Sequence, residues 1–339
     1  MTGLRVGVIG TGMIGREHIR RLSTVQAGVS VVAVTDVDAA LAARVAAGLG
    51  AVTHPDGLDL IASPRVDAVV VCSWGGTHEE YVLAAIAAGK PVFCEKPLAT
   101  SPQAALRIVA AEARHGGRLV QVGYMRRYDA AYRALKKVLD SGVIGAPLMM
   151  HCAHRNAGVP GFYEPEYTIT ETAVHEIDMV RWMFGSEIVA VRVLRPRVSR
   201  HAGELPDPLL LVLELANDVL VDVEISVNVR YGYDIRGEIL GEDGTVALGE
   251  PGLVAVRRDG RVASPVPGDW RDRFGAAYDV ELREWAVSAA GGVPDGPGAW
   301  DGYAAAAVSD AAVRALRTGE RVTVTLAERP RPGDERARA

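Results

Sequence analysis

Glu171, His175 and Asp178 are spaced four and three residues apart within Ile169–Asp178. On a helix, residues so spaced share one face, so two carboxylates and an imidazole would project together. Ala173, Val174, Ile177, Val180 and Phe184 fall on the opposite side and give that helix an apolar back. A histidine beside carboxylates can move a proton near neutral pH, because the carboxylate orients the ring and stabilises its protonated form. A solvated polar face explains the same spacing equally well. The choice between the two depends on what the rest of the chain brings to that face.

The first 124 residues alternate short apolar runs with longer helical patterns. The spacing predicts strands at Leu4–Ile9, Val31–Thr35, Ala68–Cys72, Val92–Glu95 and Leu119–Gly123. Helices are predicted at Met13–Leu22, Ala39–Leu49, Glu79–Ala88 and Pro102–His115. Continuous apolar strands separated by helices indicate a parallel sheet covered on both faces, a doubly wound α/β domain. After a helix over Ala130–Ser141 the pattern changes to strands at Pro147–Ala153, Ile188–Arg197, Leu209–Leu215, Val219–Val227, Tyr233–Leu240 and Leu253–Arg257. Tight-turn residues such as Asn217-Asp218 and Glu242-Asp243-Gly244 join several of them, so a second α+β domain with a largely antiparallel open sheet is expected. Two helices, Tyr278–Ala290 and Ala304–Thr318, complete it. The expected boundaries are a cofactor-binding domain over 1–124, a substrate-binding and oligomerisation domain over 125–328, and a flexible tail over 329–339.

Gly10-Thr11-Gly12-Met13-Ile14-Gly15 follows the first strand and opens a helix, the context a dinucleotide-binding turn requires. Gly10 permits the tight turn, Gly12 lets a pyrophosphate approach the backbone, and Gly15 allows close helix–strand packing. Asp36 ends the second strand, 21 residues after Gly15, where its carboxylate can accept the adenosine ribose hydroxyls. That charge repels a 2′-phosphate and no arginine follows it immediately, so NAD is expected rather than NADP. Lys96, in Glu95-Lys96-Pro97, follows the strand ending at Glu95 and so lies at the carboxyl end of the sheet, the edge where ligands of such sheets bind. An ammonium there can stabilise the alkoxide that forms as hydride leaves a substrate carbon.

Bulk composition narrows the partners. The chain has 339 residues and a net charge of −5, which argues against nucleic acid as an electrostatic partner. No apolar run is long enough to span a bilayer, and the first residues lack a signal-peptide pattern. Cys72, Cys94 and Cys152 form neither a disulfide framework nor a zinc pattern. A cytoplasmic location with no metal and no membrane is therefore expected. His154, His175 and Asp178 have ligand chemistry, but their spacing does not favour zinc. His18, His54, His115 and His201 have no supporting context and are expected to be structural.

The glycine turn, Glu95-Lys96-Pro97 and the His175 helix, in this order, resemble the Gfo/Idh/MocA oxidoreductase family from about Leu4 to about Leu326. The likeness sharpens toward its inositol-oxidising branch at Cys72-Ser73-Trp74-Gly75, His78-Glu79, Val122–Asp129, His154-Arg155-Asn156, Val174–Asp178 and Tyr231–Ile235. The resemblance implies an NAD-dependent dehydrogenase in which Lys96 polarises a substrate hydroxyl, His175 accepts its proton and Glu171 supports the imidazole. It implies that Ser73, Trp74, His78, Glu95 and Lys96 join the cofactor site. It also implies that Met125, Arg126, His154, Asn156, Asp178 and Tyr233 join Lys96, Glu171 and His175 around a polyol. The expected reaction is oxidation of myo-inositol to 2-keto-myo-inositol; another inositol isomer, a sugar such as glucose, or a non-catalytic NAD-binding regulator are the alternatives. A homotetramer is implied as well. Two departures stand out: Glu171 replaces the family's usual aspartate, and Gly76-Thr77 replaces the more familiar Pro-Ala.

Overall fold

Valine-rich runs build the first sheet of this computed structural model, which describes residues 3–249 and 255–330. The chain runs β1 (Leu4–Ile9), α1 (Met13–Thr24), β2 (Val29–Thr35), α2 (Ala39–Leu49), β3 (Val52–Thr53), α3 (Gly57–Ala62), β4 (Ala68–Val71), α4 (His78–Ala87), β5 (Val92–Glu95), α5 (Pro102–His115) and β6 (Val120–Gly123). The strands pair in parallel in the order β3-β2-β1-β4-β5-β6. Every residue of β4, β5 and β6 is buried, as expected of strands covered on both faces. The order reverses between β1 and β4, so a ligand crevice opens at their carboxyl ends. The expected bounds of β1, β5, α2 and α5 coincide with those observed. Neither β3 nor α3 was expected; at two and six residues they are too short to show a period.

The chain continues with α6 (Ala130–Asp140), β7 (Pro147–Arg155), a π-helical stretch at Thr168–Ala173, α7 (Val174–Phe184), β8 (Ile188–Leu194), β9 (Leu209–Leu215), β10 (Leu220–Ser226), β11 (Asp234–Gly241) and β12 (Thr245–Ala247). A small hairpin, β13 (Val256–Arg258) and β14 (Arg261–Ala263), precedes α8 (Trp270–Ala290), α9 (Ala299–Thr318) and β15 (Val322–Thr323). The large sheet has the order β12-β11-β7-β10-β9-β8-β15. Its pairs are antiparallel except β7 with β10, which run parallel with Ile225 beside His154. No turn signal marks that pairing, because α7, β8 and β9 intervene. The strand expected over Leu253–Arg257 begins outside the described residues, and the expected tail leaves them after residue 330.

The contacts divide the chain into two units. One comprises the residues up to Tyr124, Tyr278–Ala306 and the chain from Leu326; the other comprises Met125–Ala277 and Ala307–Thr325. The second domain was expected to run unbroken over 125–328, and here the structure differs. Leu282, Trp285, Ala286 and Ala289 recur at helical spacing on α8 and pack into the core formed by Val6, Val8, Val34, Val70 and Phe93. That apolar stripe finds its cover in the first sheet, so Tyr278–Ala306 belongs to the first unit. Among the described residues no helix is long and apolar enough to cross a membrane.

Candidate active site

In the first unit the glycine turn leaves β1 at Gly10, whose φ of +93° favours glycine. A Cβ there would lie 2.6 Å from the Cys72 carbonyl and the Ser73 nitrogen, so the turn is pressed against the chain leaving β4. A Cβ on Gly15 would strike the Gly10 carbonyl. Gly12 is different: a Cβ on it would meet nothing within 4 Å, and no side chain caps the α1 N-terminus that follows. Free helix-end amides beside open space suit a pyrophosphate. Met13 borders that space at 57% exposure, whereas Ile14 packs against the core.

Asp36 closes the turn from the other side. Its Oδ2 accepts the Thr11 backbone N–H at 2.5 Å and the Thr11 hydroxyl at 2.9 Å, and its Oδ1 accepts the Asp38 N–H at 2.9 Å. Burial works against its charge, but the hydrogen bonds from Asp38 and Thr11 hold the carboxyl below its ordinary range. Asp36 is thus ionised, half-buried and fixed just beyond the end of β2. Thr11 itself is fully buried, its side chain engaged with Asp36. Gly12, the helix terminus and Asp36 together fit NAD, and Gly10, Thr11, Gly12 and Asp36 would hold it.

Lys96 is half-buried just beyond β5, at the sheet edge that carries the glycine turn. Glu95 is buried, and its Oε2 accepts the Lys96 backbone N–H at 3.2 Å. Its Oε1 lies 2.5 Å from Nε2 of His18, a residue expected to have no special role. His78 is 1% exposed, with Nδ1 2.7 Å from the Pro97 carbonyl and Nε2 3.0 Å from the Ser73 carbonyl. His78 therefore braces the strand ends. Ser73 pairs its hydroxyl with Thr77, and Trp74 stands 77% exposed beside it.

In the second unit Glu171 and His175 are half-buried, while Asp178 is 1% exposed. Glu171 lies in the π-helical stretch, a wide turn of the kind that recurs at functional sites. Tyr163 anchors this stretch: its hydroxyl donates to the Tyr167 carbonyl at 2.7 Å and lies 2.6 Å from the Thr172 hydroxyl. Asp178 accepts two hydrogen bonds from Arg127, at 2.9 and 2.5 Å. The three residues of the opening motif therefore do not form one solvent-facing stripe; Asp178 is drawn into an ion pair.

Behind His175 lies a buried cluster that includes a residue given no role from the sequence, Glu176. Arg126 and Glu176 form an ion pair, each 1% exposed. His154 Nδ1 is 3.0 Å from Glu176 Oε2 and 3.0 Å from Arg126 Nη2, and its Nε2 is 3.4 Å from the Tyr233 hydroxyl. Burial pushes the His154 imidazole below its ordinary value of 6.5 despite the Glu176 carboxylate, so it is neutral at neutral pH. The His154 ring stands 6.3 Å from that of His175. Met125 is buried beside Arg126, and Asn156 is half-buried at the end of β7. Glu176 carried a weak sequence signal at best, since its partner Arg126 lies 50 residues away. Among the described residues no group of three His, Cys, Asp or Glu could hold a metal ion.

A Rossmann sheet of order 3-2-1-4-5-6, an ionised carboxylate just beyond β2 and a lysine at the same sheet edge are the features of an NAD-dependent dehydrogenase. The match to known proteins makes this specific. Residues 4–124 match the oxidoreductase family's NAD-binding Rossmann fold and residues 136–325 its C-terminal alpha/beta domain, so the chain belongs to the Gfo/Idh/MocA oxidoreductase family. It is 54% identical to inositol 2-dehydrogenase 3 of Saccharopolyspora erythraea over 96% of this chain and 97% of that one. It is 53% identical to the inositol 2-dehydrogenase of Ralstonia nicotianae, covering 96% and 98%. The crystal structure of myo-inositol dehydrogenase from Lactobacillus casei, in complex with NAD(H) and myo-inositol, superposes with a TM-score of 0.95 at 40% identity, covering 97% of this chain and 98% of that one.

Proposed function

We propose that this dehydrogenase oxidises a secondary ring hydroxyl of a cyclitol, myo-inositol before other isomers, to the 2-keto product. The observation that carries the reading is Lys96, held at the carboxyl edge of β5 beside an NAD signature, in a chain whose relatives are named for inositol oxidation. Bound NAD supplies the hydride acceptor, nicotinamide C4. The Lys96 ammonium donates a hydrogen bond to the reacting hydroxyl oxygen and stabilises the negative charge that develops there. His175 takes the proton from that oxygen, and Glu171 supports the imidazolium that results. His154 serves this step by staying neutral: a second imidazolium 6.3 Å away would oppose proton uptake by about 2–3 kcal/mol at an effective dielectric of about 20. Asn156, Tyr233 and His154 supply polar groups for the substrate's remaining hydroxyls, because a polyol left with unpaired groups in a buried site binds poorly. Arg126 and Asp178 act from behind, through Glu176 and Arg127.

The test is NAD reduction, followed by absorbance, against inositol isomers and common aldoses. The expected result is the highest kcat/KM for myo-inositol. A higher value for glucose would overturn the substrate assignment, and no reduction with any of them would favour a non-catalytic NAD-binding regulator. We further propose a homotetramer, supported by the exposure of Leu148 and Leu220 on β7 and β10 of the large sheet, to be checked by light scattering. A cytoplasmic setting agrees with three buried free cysteines, and localisation of a tagged chain tests it.

A further inference from the structure

We propose that His18, through the Glu95 carboxylate it holds, is a positioning residue for Lys96. The inference rests on the reading of Lys96 as the residue that polarises the reacting hydroxyl. His18 projects from α1 and is 0% exposed. The Phe93 ring meets it edge-on at 5.6 Å and the Tyr278 ring at 5.7 Å. Its Nδ1 has no hydrogen-bond partner among the described residues, so Glu95 is what its polarity serves.

Glu95 links that ring to the lysine. One carboxylate oxygen meets His18 Nε2 at 2.5 Å, and the other accepts the backbone N–H of Lys96 at 3.2 Å. Burial raises the Glu95 carboxyl, but the His18 hydrogen bond and the nearby Lys96 charge are among the causes that outweigh it and hold it below its ordinary range. An ionised carboxylate accepts only, so Nε2–H is the donor. On the opposite flank the Pro97 carbonyl is held by His78 at 2.7 Å. The Glu95-Lys96-Pro97 turn is therefore gripped from both sides by buried imidazoles, one on α1 and one on α4. Burying a carboxylate is costly unless it is paired, and an apolar pair would fill the same space without that cost. What the hydrogen-bonded pair adds is a fixed negative charge on Glu95 and a fixed backbone next to the ammonium.

The test compares His18→Phe, which keeps ring volume and removes the donor, with His18→Gln, which restores an N–H. Four quantities are read: kcat and KM for myo-inositol, NAD affinity by fluorescence titration, thermal midpoint, and the acetylation rate of Lys96 in NAD-free protein by peptide mass spectrometry. His18→Phe is expected to lower kcat about tenfold or more, as loss of an orienting partner does, with KM and NAD affinity nearly unchanged. Lys96 should acetylate faster in that variant, because a buried Glu95 without the His18 donor takes up a proton more readily, and the neutral carboxyl stabilises the ammonium less. His18→Gln should recover most of both effects. Wild-type kcat and labelling in His18→Phe, or equal loss in both variants, would overturn the proposal. If His18→Phe does not fold, Glu95→Gln and His18→Gln decide it by the same readouts. Lys96→Ala separates the two ideas: retained turnover there sinks the Lys96 reading itself, whereas lost turnover beside an intact His18→Phe sinks only the His18 role.

Discussion

Arg126 and Glu176 pair with both side chains 1% exposed, and together they fix the Nδ1 edge of His154. Two opposite charges so deeply buried hold each other in place, and each also depends on the other for its solvation. The cluster defines where His154 sits relative to His175, and His154 in turn presents Nε2 toward Tyr233.

Glu176→Gln should therefore destabilise the fold by about 3–5 kcal/mol, because it strands the Arg126 guanidinium. Arg126→Met should do the same by stranding Glu176. Combining Arg126→Met with Glu176→Gln should cost less than the sum of the single changes. Urea denaturation of the three variants measures this; additive losses would mean the two charges do not depend on each other.

Lys96→Ala and His175→Ala should each lower turnover by about 10²–10⁴-fold, the range for removing a charge-stabilising or proton-transferring group. NAD affinity should change little in either. A variant with wild-type kcat would remove its residue from the mechanism.

NAD should bind at least about tenfold more tightly than NADP, a difference of about 1.4 kcal/mol. Asp36→Ser should erase that preference. It should also loosen the glycine turn, since Asp36 holds both the Thr11 amide and hydroxyl. Calorimetric titration of both cofactors decides it, and an NADP preference in the unaltered chain would overturn the role of Asp36.

Stability should rise with pH in two stages. His154 has a folded pKa below its ordinary 6.5, so the unfolded chain binds the proton more readily. Its contribution is intact above 6.5 and is lost as pH falls toward the folded value. Glu95 and Glu176 are likewise held below 4.5, and theirs is lost as pH falls below that. The thermal midpoint should be flat with respect to these groups above about pH 6.5. His154→Asn should remove the first stage of the decline and leave the second.

Much of the cofactor half was legible because its signals are local. β1, the glycine turn and Asp36 are short-range patterns, and strand, turn and helix follow one another within a few residues. The position of Lys96 followed from the carboxyl end of a strand whose bounds were read correctly. What escaped is long-range. His18 and Glu95 are 77 residues apart, and Glu176 meets an arginine from a different element. No period or spacing encodes such pairs; they exist only once α1 packs on the sheet and α7 against the short helix at Met125–Tyr128. The π-helical turn escaped for a related reason, since its anchor is a hydroxyl, that of Tyr163, reaching Thr172 from the preceding loop.

The return of Tyr278–Ala306 to the first unit has a consequence for heredity as much as for packing. Trp285 is 0% exposed among strands more than 190 residues earlier in the chain. A gene cut after Tyr124 would carry the glycine turn, Asp36 and Lys96 away from the tryptophan that seals their core. The nucleotide-binding part is thus no transplantable cassette. A recombined copy keeps this buried core only where the late helix is inherited together with the early strands it covers.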